Sequence, residues 1–142
     1  MTLLLNAAAT LFMTGLIWFV QIVHYPLFGA VGSDAFRQYE ARHADLTTLV
    51  VVGPMVTELV SAGLLVWRRP PLLAAWEAWL GLALVGTIWA STALLQVPRH
   101  DALARGFDRS AQLGLVTTNW LRTTAWTVRS VLALWWLARA LA

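Results

Sequence analysis

Cysteine is absent from the 142 residues, which excludes disulfides, thiolate metal ligands and cysteine nucleophiles together. Lysine is absent too, so all ten basic side chains are arginine. Charge of either sign is scarce, at 12% of residues against about 25% in an average soluble domain. With 59% of its residues hydrophobic, the chain lacks the polar surface a soluble fold of this size needs, and a lipid bilayer is the solvent that fits. Arg68-Arg69 is the single basic pair and no basic stripe carries interleaved aromatics, so no nucleic-acid partner is expected. The motifs of common soluble enzymes (GxGxxG, the P-loop, GxSxG, HExxH) do not occur.

What the chain does have is long apolar stretches. A hydrocarbon core about 30 Å thick takes roughly 20 apolar residues per helix. Four segments meet this in one domain of residues 1–142, at about 2–24, 46–67, 72–97 and 115–139. The expected fold is an all-α, four-helix transmembrane bundle, multi-pass in the bacterial inner membrane. Met1 to Val20 is apolar without a basic start, so it reads as a first helix rather than a secretory signal. Tyr25-Pro26 is expected to end the first helix and Pro98 the third, because proline cannot donate to a helix. Arg68-Arg69-Pro70-Pro71 makes a short hinge, so helices two and three are antiparallel neighbours. Both longer connections leave on the other side, where Ser33–Ala44, with Phe36 and Tyr39, reads as a short interfacial helix. Arg37, Arg42, Arg99, Arg105 and Arg109 lie on that long-loop side, and the positive-inside rule places it in the cytoplasm.

The two halves share features. Gln21 and His24 close helix one as Gln96 and His100 close helix three, and Phe36 and Thr47-Thr48 in one half match Phe107 and Thr117-Thr118 in the other. A duplicated helical hairpin is one reading of this likeness.

Polar residues inside a membrane are costly, so their placement is informative. Asn119, Arg122, Trp126 and Arg129 follow at steps of three, four and three, hence on one face of helix four. Arg129 lies about 18 Å beyond Thr117 at 1.5 Å per residue, near mid-membrane, where an isolated charge costs about 2.5–3.5 kcal/mol. Glu58 reaches the same depth on helix two, so a Glu58–Arg129 ion pair is expected, either as an interhelical lock or as part of a catalytic set with Arg122. Asn6, Thr10, Thr14, Gln21 and His24 form a stripe on helix one; Trp89, Thr92 and Gln96 form one on helix three.

The three histidines, His24, His43 and His100, come to one membrane face by topology. Neutral imidazole is the commonest metal ligand, so a transition-metal site is one reading, a haem held by two axial histidines a second, and hydrogen bonding to headgroups a third. Of nine tryptophans, Trp67, Trp76, Trp79, Trp135 and Trp136 suit an aromatic belt at the short-hinge end and Trp120 suits the other interface. Trp18, Trp89 and Trp126 lie below the histidine level. Pointing inward, with Gln21, Gln96 and Asn119, they would line a pocket for a flat lipophilic ligand such as a quinone.

Two stretches carry a resemblance. Gln21-Ile22-Val23-His24-Tyr25-Pro26-Leu27-Phe28, and the run from Gln96-Val97-Pro98-Arg99-His100 through Gly106-Phe107-Asp108 to Asn119-Trp120-Leu121-Arg122, resemble small bacterial four-helix membrane proteins. With Val52-Gly53-Pro54-Met55 and the polar-capped layout, the chain resembles the anthrone-oxygenase-like family. The resemblance implies an oxygenase-type reaction on a lipophilic aromatic substrate; it carries no catalytic residue over. Three functional classes stay open: a membrane redox or oxygenase-type protein; a non-catalytic scaffold or accessory subunit, alone as a homo-oligomer or within a larger complex; and, on four helices less readily, a transporter.

Overall fold

A computed structural model describes residues 1–142 and is all-helical. Four helices run up and down: α1 (Thr2–Ala30), α2 (Ser33–Trp67), α3 (Ala75–Leu103) and α4 (Arg109–Leu141). The first three are long and apolar enough to cross a membrane. α4 matches them in length but carries Arg109, Arg122, Arg129 and Arg139. Each helix packs on its neighbours in chain order and α4 closes the ring against α1.

The bundle is inside-out relative to a soluble one. Its centre holds Asn6, Thr10, Gln21, Glu58, Asn119, Arg122 and Arg129, while Leu4, Phe12, Phe19, Leu49, Val60, Leu94, Leu121 and Val131 face outward. An apolar solvent reverses the usual sorting, because only polar groups then gain from partners inside.

Neither proline ends its helix. α1 runs on past Pro26 and α3 past Pro98, and each contains one π-turn two residues upstream, at Val20–His24 and Thr92–Gln96. There the Tyr25 and Val97 N–H groups reach back five residues, to the carbonyls of Val20 and Thr92. The widened turn re-routes hydrogen bonds that a proline disrupts, and the helix continues. The third helix begins at Ala75, where the Glu77 carboxylate accepts the Ala74 backbone N–H (2.9 Å). The stretch expected as a separate interfacial helix is instead the first three turns of α2, which starts at Ser33 and is continuous through Pro54 to Trp67. These extra turns carry Phe36, Tyr39, Glu40 and His43 over the end of the bundle. Phe28, Phe36 and Phe107 close that end, with Phe36 edge-on to Phe107 (5.0 Å) and to Phe28 (6.0 Å).

The likeness of the two halves has a structural counterpart. Each odd helix carries a π-turn holding a glutamine (Gln21, Gln96) and followed by a proline, and the paired Phe36 and Phe107 are in edge-on contact. At the opposite end Trp67, Trp76, Trp79 and Trp135 are exposed, as an aromatic belt requires. Trp136 is not in that belt: it is buried against Leu65 and Leu73 and forms a small core of its own.

Candidate functional site

The polar interior is layered. The deepest layer is centred on the expected ion pair, with Arg129 Nε 2.7 Å from Glu58 Oε1. Glu58 Oε1 also accepts from Thr10 Oγ1 (2.7 Å), and Oε2 accepts from Trp126 Nε1 (2.9 Å). Arg129 donates further to the Gly81 carbonyl, to Asn6 Oδ1 (3.4 Å) and to Thr10 Oγ1 (3.2 Å). The pair joins α2 to α4 across the bundle, and Arg129 touches α1 and α3 as well. Every heteroatom of both side chains has a partner inside the protein, and both residues are almost wholly buried (1% and 3% exposed).

One turn or two above lies Arg122. Its Nε and Nη2 both donate to Asn119 Oδ1 (2.9 and 2.6 Å), Nη1 donates to Thr92 Oγ1 (3.3 Å) and Nη2 to Tyr25 Oη (3.2 Å). Asn119 is held in turn by Gln21, whose Oε1 accepts from Asn119 Nδ2 (2.9 Å) while its Nε2 donates to the Val116 carbonyl (3.1 Å). All the acceptors of Arg122 are neutral. The ion pairs of the protein are Arg129–Glu58, Arg139–Glu77 and His100–Glu40, and Arg122 is in none of them. Arg122 is therefore a buried cation (7% exposed) without a counter-charge. Removing an ion from water without one is expensive.

The third layer is the histidine cap. His100 Nδ1 lies 2.6 Å from Glu40 Oε1, and His100 Nε2 lies 3.0 Å from Tyr25 Oη. Glu40, His100, Tyr25 and Arg122 thus form one hydrogen-bonded chain leading from the long-loop end into the bundle. Tyr25 is set by Gln112 of α4, which donates to its backbone carbonyl (3.1 Å) and to that of Pro26 (3.3 Å). His24 Nε2 and His43 Nδ1 are 2.8 Å apart, and Thr47 Oγ1 also reaches His43 Nδ1 (3.1 Å). The second ring nitrogen of His43 makes no hydrogen bond. Glu40 Oε2, although buried, has no partner.

Between the second and third layers lies a cavity of about 280 Å³. Its floor and walls are Met13, Leu16, Ile17, Val20, Val51, Met55 and Trp126; its polar groups are Tyr25, His43, Thr92, Gln96, His100 and Arg122. Ala44, Thr48, Val97 and Asp101, all exposed, line its margin, so it opens sideways between α2 and α3. The cavity offers donors from Arg122 and Tyr25 and one buried acceptor without a partner, Gln96 Oε1.

The residues singled out from the sequence therefore separate by role. Arg122, Gln96, Trp126, His43 and His100 line the cavity. Gln21 and Asn119 stand behind Arg122 and brace it. Glu58 and Arg129 lie below, consumed by their own cluster. Trp18 and Trp89 do not line the cavity: Trp18 sits on the α1–α4 surface, donating to Thr127 Oγ1 (3.1 Å) edge-on to Trp120, and Trp89 packs on the outside of the core. Their depth along the helices agrees with the expectation, but their faces do not. His24 stands outside the cavity, against the far side of His43. Ligand atoms of Glu40, His43 and His100 lie within 4.8 Å of one another, so Glu40 takes the place expected of His24 in the cluster. Neither His24–His43, in direct hydrogen bond, nor His43–His100, with rings stacked 5.2 Å apart, leaves a porphyrin plane between its nitrogens.

Tyr25, Glu40 and Gln112 are missed by the sequence reading, whereas Thr92 belongs to the polar stripe expected on helix three. A signal for Tyr25 and Glu40 was present, since Tyr25 adjoins His24 and Glu40 precedes His43 by one turn. Comparison with protein-family models, with curated proteins and with solved structures gives no match to this chain.

Proposed function

We propose that this is a multi-pass protein of the bacterial inner membrane that takes a lipophilic aromatic or quinone-like molecule from the bilayer into the cavity. The ligand's oxygen-bearing head is held by Arg122. The observation that carries this reading is the buried Arg122 guanidinium, which lines a mostly apolar cavity and lacks a carboxylate partner. A carbonyl oxygen, or better an ionised hydroxyl, completes its coordination. The apolar walls suit a flat hydrocarbon body and the sideways opening suits arrival from lipid. The resemblance to the anthrone-oxygenase-like family agrees with that ligand class.

Tyr25 is the acid–base group of this proposal. Its hydroxyl stands between Arg122, which stabilises a phenolate, and His100, which accepts the proton at Nε2 while Glu40 holds the Nδ1 side. A hydroxyl of the ligand in contact with Tyr25 loses its proton along this route. Ionising a phenol- or hydroquinone-type head raises the electron density of the ring, the acid–base half of a redox or oxygenase-type reaction. Glu58 and Arg129 have a structural part only: they fix the four helices beneath the site.

The test is an equilibrium titration of the purified protein in detergent with an alkyl-hydroxynaphthoquinone. The parent is expected to bind one molecule per chain, and Arg122→Gln to weaken binding about 10–100-fold, the equivalent of one to two charge-assisted hydrogen bonds. Met55→Trp, which fills the cavity, is expected to abolish it. Undiminished binding in both variants would refute the site. No binding by the parent would leave the non-catalytic scaffold or accessory subunit as the better account.

A further inference from the structure

We infer that Glu40, His43 and His100 form a binding site for a divalent first-row transition metal at the cap of the bundle, with His24 as the group that orients His43. Two imidazoles and one carboxylate are a donor set that such ions take up, leaving positions open for water or a ligand. One ligand atom from each residue already lies within 4.8 Å of the others, and the closest pair, His100 Nδ1 and Glu40 Oε1, is 2.6 Å apart. Bonds of about 2.0–2.2 Å in tetrahedral arrangement set ligand atoms about 3.4 Å apart, between those two distances, so modest side-chain rotation suffices.

Two independent observations point to a cation here. Glu40 is 1% exposed, yet its Oε2 has no hydrogen-bond partner, which a buried carboxylate oxygen rarely tolerates. The second is the arrangement around His43. Its Nδ1 is taken by His24 Nε2 (2.8 Å) and Thr47 Oγ1 (3.1 Å), which leaves Nε2 without a hydrogen bond, beside the cavity it lines. A metal-binding histidine characteristically donates its other ring N–H to a fixed acceptor, and His24 Nε2 is placed to accept it. His100 Nε2 is likewise occupied, by Tyr25 Oη, while its Nδ1 faces Glu40. The four residues come from α1, α2 and α3, so the site exists only because α2 begins at Ser33 and α3 continues past Pro98.

This inference shares His100 and Glu40 with the proposed acid–base route, but it uses neither Arg122 nor the apolar walls. The experiment is titration of the tag-free protein in detergent with Zn²⁺ alone, followed by calorimetry and by proton release, and with Co²⁺ followed by its visible absorption. One ion per chain is expected, with a four- or five-coordinate Co²⁺ spectrum and proton release on binding. Glu40→Gln and His43→Gln are each expected to abolish stoichiometric binding, and His24→Phe to weaken it about 10–100-fold through loss of the orienting bond. Arg122→Gln is expected to bind the metal as the parent does, so that failure of the ligand reading and failure of this one are told apart. If a variant does not fold, the ¹⁵N spectrum of the histidines in the parent decides: Zn²⁺ must shift His43 and His100 as direct ligands and leave His24 unligated. Absence of binding by the parent, binding that survives in Glu40→Gln and His43→Gln together, or unshifted His43 and His100 resonances would each overturn the inference.

Discussion

Replacing Arg129 with glutamine leaves the Glu58 carboxylate in the middle of the bundle with only the Thr10 hydroxyl and the Trp126 indole as partners. Replacing Glu58 with glutamine leaves the Arg129 guanidinium with neutral acceptors from Asn6, Thr10 and Gly81. Because both side chains are at most 3% exposed, neither survivor is relieved by solvent, and each single variant is expected to lose about 3–5 kcal/mol. The double variant Glu58→Gln/Arg129→Gln removes both charges, so it should cost well under the sum. A coupling energy of about 2–3 kcal/mol is expected, near the top of the range for residues in one network. The size separates two accounts. Neutral interhelical hydrogen bonds in membrane proteins couple by about 0.6 kcal/mol on average and about 1.7 at most, so only a true buried charge pair reaches the expected value. The assay is reversible unfolding in mixed micelles by dodecyl sulfate titration, read by tryptophan fluorescence, to which Trp126 reports directly from the cluster. Single-variant losses below about 1 kcal/mol, or a coupling at or below the neutral average, would refute the claim that this pair locks the bundle.

Two further outcomes follow from the packing and the hydrogen-bonded chain. Gly81→Ala puts a methyl group 3.0 Å from the Trp136 ring and 3.5 Å from Arg129 Nη1, and is expected to lower stability by about 1–3 kcal/mol in the same unfolding assay, whereas Gly15→Ala, which meets nothing within 4 Å, should not lower it. Tyr25→Phe removes the hydroxyl joining Arg122 to His100; bound hydroxynaphthoquinone should be retained within a few-fold, while turnover of any hydroquinone substrate should fall about 10²–10⁴-fold, the usual worth of a positioned acid–base group.

How far the site was legible depends on the kind of position each residue holds. Depth can be counted along each apolar segment from a common end, and on that basis the sequence pairs Glu58 with Arg129. The run Asn119, Arg122, Trp126, Arg129 was likewise legible, because α4 is regular throughout and its spacing of three and four holds. α1 and α3 are not regular. Each π-turn adds one residue to the turn, rotating everything beyond it by about 100° relative to a uniform helix. That rotation acts on Tyr25 and His100, which lie beyond the π-turns, and periodicity in the sequence does not show it. Rotation about the helix axis also decided the tryptophans: Trp18, Trp89 and Trp126 have similar depth, but only Trp126 has a carboxylate to donate to on its inner face. Glu40 was obscured by a boundary, since a stretch assigned to a separate interfacial helix gives no register with the rest of α2. Gln112 was obscured likewise, lying before the apolar part of α4.

Arg122, a buried cation without a counter-charge, is proposed to take up an oxygen anion. The most direct test is the absorption spectrum of bound hydroxynaphthoquinone, at a pH where the same molecule is protonated in empty micelles. The account predicts that the parent binds the coloured anion and that whatever Arg122→Gln still binds remains in the protonated form. The protonated form bound by the parent, or one spectrum in both proteins, would contradict it.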